Sequence, residues 1–280
     1  MTSDIDVRRR SLIIALSLIT IVLSWLSSIA TAQELASDKE NLEAYRLTRL
    51  QVGIHDWLQW GGSSVRNNTP VGQNIPTTWN IESGENIRWA ATLGSQTYAC
   101  PVIANGKIFI GTNNNAGYIA RYPASVDLGS LICFDEKTGE FRWQHSNEKL
   151  ASGRENDWPS MGVIGAPVVD GDRLWYVTNR AEVVCLDTKG FQDGDNDGPF
   201  KSEEFEFQDE ADVVWKLDMM AELKVRPHNK CTCSVTCAEG RLFVVTSNGV
   251  DESHLNIPSP DAPAFLTLDA TTGKVIWSDA

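Results

Sequence analysis

An all-β architecture, a β-propeller of four-stranded antiparallel blades, is what this sequence predicts, and three observations predict it. A β-rich hairpin phrase occurs three times. An Asp–Gly–Trp phrase closes the copies. Tryptophan is abundant, with ten residues in a chain of 280. Indoles are too large to bury casually, so their recurrence at fixed places points first to a repeated structural use.

Residues 1–32 read as an export segment rather than as fold. Arg8, Arg9 and Arg10 precede an apolar run from Leu12 to Leu26, and Ala30-Thr31-Ala32 supplies small residues at cleavage spacing. Two outcomes stay open, a signal peptide cleaved after Ala32 or an uncleaved membrane anchor of sufficient length to span. Residues 33–80 read as a lead-in. Ser37 followed by Glu40 makes a capping box, which predicts a short helix over about 38–50. The stretch from Asp56 to Thr78, rich in Gly, Asn, Ser and Pro, reads as irregular.

The blades occupy residues 81–280. In the first, Pro101-Val102-Ile103 and Lys107-Ile108-Phe109-Ile110-Gly111-Thr112 flank Gly106. In the second, Pro167-Val168-Val169 and Arg173-Leu174-Trp175-Tyr176-Val177-Thr178 flank Gly171. In the third, Ser234-Val235-Thr236 and Arg241-Leu242-Phe243-Val244-Val245-Thr246 flank Gly240. Each pattern is a hairpin.

The closing phrase follows. Leu131-Ile132-Cys133-Phe134-Asp135 leads through Thr138-Gly139 to Trp143, and Phe265-Leu266-Thr267-Leu268-Asp269 leads through Thr272-Gly273 to Trp277. Val183-Val184-Cys185-Leu186-Asp187 begins the same phrase, is interrupted by an insertion over residues 190–212, and resumes at Val213-Val214-Trp215. Trp89 looks like the tail of a preceding unit. The Asp is expected to bond the turn amides and the Gly to supply a positive φ. The Trp is expected to clamp neighbouring sheets. Strand alternation gives Cys133, Cys185 and Thr267 matching positions, where small residues suit closely packed blades. Four strands per unit, repeated radially, make a propeller.

The phrase around Asp269, Thr272-Gly273 and Trp277 resembles the tryptophan-docking motif of PQQ-type propeller repeats. Those occur in quinoprotein dehydrogenases and in the propeller lipoprotein of outer-membrane β-barrel assembly. Asp56-Trp57-Leu58-Gln59-Trp60, Asp218-Met219-Met220 to Pro227-His228-Asn229, and Thr246-Ser247-Asn248-Gly249-Val250-Asp251 are similar to exported PQQ-like propeller proteins of planctomycete-type bacteria. The likeness covers roughly residues 56–280. It implies further blades, so about three to four blades of an incomplete ring are expected here.

Two site candidates stand out. Asp193-Gly194-Asp195-Asn196-Asp197-Gly198 followed by Glu204 fits a twelve-residue calcium loop, with Asp193, Asp195, Asp197 and Glu204 as side-chain ligands. An acidic surface loop is the competing reading, because helical flanks are missing. Cys231, Cys233 and Cys237 lie near His228, and buried thiols, one disulfide or a metal site remain open there, without the CxxC pairs that structural zinc favours. His55, His145 and His254 stand at no diagnostic spacing. No serine-nucleophile, phosphate-loop or HExxH motif occurs.

The net charge of −13 disfavours binding to a phosphate backbone, so no nucleic-acid partner is expected. Contact with a membrane is expected only through the N-terminal segment, should it stay uncleaved. Two functions remain in view. One is a binding or scaffold module of the cell envelope, periplasmic or secreted, recognising an envelope protein or a small molecule. The other is a PQQ-dependent dehydrogenase of alcohols or sugars. For that second function the resemblance implies a quinone stacked on an aromatic ring, a calcium ion and a pair of adjacent cysteines. The chain has no Cys-Cys pair, and no position can be matched to the cofactor ligands.

Overall fold

The computed structural model describes residues 53, 55–70 and 72–279. The expected export segment and the helix over 38–50 lie outside them. Three four-stranded antiparallel sheets follow one another along the chain. The first is β1 (Val102–Ala104), β2 (Lys107–Asn113), β3 (Leu128–Asp135) and β4 (Phe141–Glu148). The second is β5 (Val168–Asp170), β6 (Arg173–Val177), β7 (Glu182–Asp187) and β8 (Val213–Asp218). The third is β9 (Thr236–Ala238), β10 (Arg241–Val245), β11 (Phe265–Asp269) and β12 (Val275–Ser278). One short helix, α1 (Met219–Leu223), caps the exit of β8, with Asp218 accepting the Ala221 amide at 2.9 Å. Residues 81–101 hold Trp89 but no named strand; one isolated bridge joins Asn80 to Glu85.

The hairpins have local causes. Asn105 and Gly106 take φ of 53° and 72°, and Glu239 and Gly240 take 52° and 72°. Two consecutive left-handed residues are what a tight type I′ turn requires, and its twist matches that of the strands it joins. In all three sheets the Asp ending the third strand organises the next turn. Asp135 Oδ1 accepts the Lys137 and Thr138 amides at 3.0 Å, Asp187 Oδ1 that of Lys189 at 2.7 Å, and Asp269 Oδ1 that of Thr272 at 2.7 Å.

The three sheets share one register. Cross-strand partners run Val102, Phe109, Cys133, Trp143 in the first blade and Val168, Trp175, Cys185, Trp215 in the second. They run Thr236, Phe243, Thr267, Trp277 in the third. A β-bulge falls directly after Cys133, Cys185 and Thr267 alike. The small residue on each rung sits between two aromatic neighbours, which is why Cys or Thr stands there; Phe109 and Trp143 lie 5.7 Å apart across Cys133. The main core runs continuously from Val102, Phe109 and Trp143 to Leu174, Tyr176 and Leu186, so burial is shared between blades one and two.

Neighbouring blades are joined by the expected clamps. Trp89 donates its indole N–H to the Glu136 carbonyl at 2.9 Å, Trp143 to that of Thr188 at 3.2 Å, and Trp215 to that of Ala270 at 3.1 Å. Each acceptor is the residue after the turn Asp. The rings lie over Gly139, Gly190 and Gly273, where an added Cβ would come within 2.5, 3.0 and 2.6 Å of the indole. Trp143 and Trp215 are buried, whereas Trp277 occupies the same rung at 53% exposure.

Candidate functional site

Two places gather polar groups, the inner edge of the blades and a cavity between the outer strands of blades one and two. At the inner edge β1, β5 and β9 are successive neighbours, each followed outward by the rest of its sheet. The lead-in covers them. Trp57 exchanges backbone bonds with Ile103 of β1 at 2.7 and 3.0 Å, and the Val169 amide of β5 donates to the Leu58 carbonyl at 2.8 Å. The Gln59 side chain accepts the Cys237 amide of β9 at 3.4 Å. Arg66 bonds the Ser234 carbonyl at 3.1 Å and also the Thr236 hydroxyl. Residues 57–66 thus satisfy backbone groups that an uncovered inner edge would leave open. This strap was expected only as an irregular segment.

The cavity, about 240 Å³, opens between β4 and β8. The insertion of blade two forms one wall by reaching back to blade one. Glu210 bridges Gln144 of β4 in parallel, the Gln144 amide donates to Asp209 and the Ala211 amide to Gln144. Arg121 fastens the junction through Asp209 and through Glu210 at 2.9 Å. Burial raises the Glu210 carboxyl above its ordinary value against the opposing pull of Arg121 and Tyr122.

His145 faces this space. Its Nδ1 lies 2.7 Å from the Tyr176 hydroxyl, which also takes a bond from Asn147 Nδ2 at 3.0 Å. With Asn147 donating to it, the hydroxyl can donate in turn to His145 Nδ1 when the imidazole proton sits on Nε2. Burial, then the charge of Lys216, holds the imidazole down at about 3. Glu182, deeper in, pairs with Lys216 at 3.1 Å and lies 3.9 Å from Arg180. His145 escaped notice in the sequence because its deciding partner, Tyr176, is on another blade.

The calcium-loop residues spread apart. Asp193 pairs with Lys189 at 3.1 Å and accepts the Asp195 amide at 3.2 Å. Asp197 pairs with Arg173 at 3.0 Å, while Glu204 lines the cavity. Among the described residues no group of three or more His, Cys, Asp or Glu side chains is arranged to hold a metal ion. Arg173 instead gathers Asp172, Asp187 and Asp197. Behind them burial lifts Asp187 and Asp212 to about 6.

Among the described residues, which include all six cysteines, no disulfide forms. Cys231 donates to the Thr246 carbonyl at 3.5 Å and Cys233 accepts the Val245 amide at 3.3 Å. His228 bonds the Val250 carbonyl at 2.9 Å and meets His254 edge-on at 4.7 Å, so it closes a loop of blade three.

No protein-family model and no curated protein matches the chain. Solved structures do. The quinohemoprotein alcohol dehydrogenase from Comamonas testosteroni is similar at a TM-score of 0.48 and 11% identity, over 84% of this chain and 28% of that one. A europium-containing methanol dehydrogenase is similar at 0.47 and 10% identity, over 81% and 32%. BamB from Moraxella catarrhalis is similar at 0.36 and 14% identity, over 68% and 39%. The chain therefore spans well under half the length of each. The three sheets, their shared register and the indole clamps make successive blades of a β-propeller whose ring is incomplete here.

Proposed function

We propose that this chain is part of an exported PQQ-like propeller that acts as a binding or scaffold module in the cell envelope. The support is the repeat architecture, three four-stranded sheets in one register joined by buried indole clamps, a scaffold whose loops and edges can be varied for recognition without disturbing the blades. Among the described residues no helix is long and apolar enough to cross a membrane.

Two measurements on the full chain test this. Chemical cross-linking of the full chain in living cells is expected to trap an envelope protein, and failure to trap one would remove the binding reading. Incubation with PQQ and calcium followed by dye-linked oxidation of alcohols and sugars is expected to give no sustained turnover. Turnover would replace the binding reading with a dehydrogenase.

Within the same reading, a calcium ion ordering the insertion through Asp193, Asp195, Asp197 and Glu204 requires Asp193 and Asp197 to release Lys189 and Arg173. Calorimetry with millimolar calcium decides it, and absence of heat removes the ion.

A further inference from the structure

We propose that the cavity between blades one and two binds a small organic cation, one bearing a primary ammonium or guanidinium group. Five glutamates line it, Glu148, Glu182, Glu203, Glu204 and Glu210, against two cations, Arg180 and Lys216. Both cations are neighbours of Glu182, and Glu210 is engaged by Arg121. Glu148, Glu203 and Glu204 are left without an ion pair among the described residues.

Glu203 is the most telling of the three. Its Oε1 accepts the Val213 amide at 3.3 Å, while its Oε2 is buried with no hydrogen-bond partner. A buried carboxylate oxygen left unmatched is costly, and a ligand N–H donor would satisfy it. The aromatic lining fits the same chemistry. Lys216 already lies 5.5 Å over Phe200, and Arg121 lies 5.4 Å over Phe205 and 5.9 Å over Tyr122. The walls therefore hold two of the protein's own cations between carboxylates and rings.

Other ligand classes fit less well. An anion would meet five lining carboxylates against two cations, Lys216 being already paired with Glu182 at 3.1 Å. A hard metal needs several oxygens converging on one point, and the described residues offer no such group. An ammonium or guanidinium group, by contrast, distributes its donors among separated acceptors. His145 does not oppose it, because burial and then the charge of Lys216 keep it neutral. At about 240 Å³ the space is below the roughly 300–1,000 Å³ of pockets that enclose drug-sized molecules, so a short aliphatic amine or a single basic side chain is the right scale.

The test is calorimetric titration of the full chain with 1,5-diaminopentane, with 1,5-pentanediol as the neutral counterpart. The diamine is expected to bind saturably and the diol roughly tenfold or more weaker, because charge-assisted bonds are at stake. Glu203→Gln and the exposed Glu204→Gln are each expected to weaken the diamine by roughly tenfold. Glu252→Gln, far along the chain in a surface loop, is expected to leave binding unchanged. Circular dichroism of each variant confirms the fold, and Glu204→Gln serves should Glu203→Gln fail to fold. Equal binding of diamine and diol, indifference to both cavity variants, calcium heat in place of diamine heat, or no binding up to about 10 mM would each overturn the assignment.

Discussion

Trp215 sets its ring on Gly273 of the next blade and donates its indole N–H to Ala270, three residues before that glycine, at 3.1 Å. The Ala270 carbonyl receives a second indole, that of Trp175, at 3.0 Å. One turn of blade three thus terminates two tryptophans of blade two. The clamp is a packing contact and a polar one at once, because a buried indole N–H needs an acceptor.

A pair of glycine variants separates the clamp from simple backbone strain. Gly106 and Gly273 share a φ of 72°, but an added Cβ at Gly106 meets nothing within 4 Å, whereas at Gly273 it meets the Trp215 ring at 2.6 Å. Gly106→Ala is expected to cost only the left-handed penalty of about 1–2 kcal/mol. Gly273→Ala is expected to lose a further ~1–3 kcal/mol from overpacking against the indole. Urea denaturation of both variants measures the difference, and equal losses would show that the ring does not depend on the bare glycine.

Tryptophans on one rung are expected to differ sharply in worth. Trp143 is fully buried and Trp277 is 53% exposed. Trp143→Ala is expected to destabilise by about 3–5 kcal/mol. Trp277→Ser is expected to change the stability of this chain by no more than about 0.5 kcal/mol. Thermal unfolding of the two variants checks the contrast.

The rungs were legible in the sequence because every partner in them is set by strand alternation and a short turn. Cys133, Cys185 and Thr267 could be aligned without coordinates for that reason. Gly190 could not be identified as the second clamp glycine, since it follows Asp187 by three residues where Gly139 and Gly273 follow their Asp by four. The insertion hid the shortening. The strap over residues 57–66 was invisible for another reason. Its contacts run from Gln59 to Cys237 and from Arg66 to Ser234, and nothing local in a segment with Gly61-Gly62-Ser63-Ser64 at its centre encodes such distant pairings. The cavity is hidden in the same way, its walls coming from two blades and an insertion.

Asp212 gives the fold a defined response to pH. Its carboxyl is raised from 3.8 to about 6, first by burial and then by Asp197, Asp187 and Glu203. A group whose folded value is raised contributes stability that is complete below the unfolded value and disappears as pH climbs through the folded one. Asp212→Asn is therefore expected to be more stable than the parent at about pH 8 and no better near pH 4. Melting temperatures across that span check the sign. An advantage that grew toward acid would contradict the burial of the charge.

His145 is expected to act in the opposite sense. Its folded value is depressed from 6.5 to about 3, so the unfolded chain takes up a proton first as the solution is acidified. Its contribution is complete above 6.5 and is lost as pH falls toward about 3, over a range in which Asp212 gains. Imidazole resonances report this directly. Among the four histidines, that of His145 is expected to stay fixed from about pH 8 to about pH 5, with the proton on Nε2. Tyr176→Phe removes the hydroxyl that fixes the tautomer and is expected to release Nδ1, giving a mixture of tautomers at neutral pH. An unchanged Nε2–H signal in that variant would mean that something other than the Tyr176 bond orients the ring.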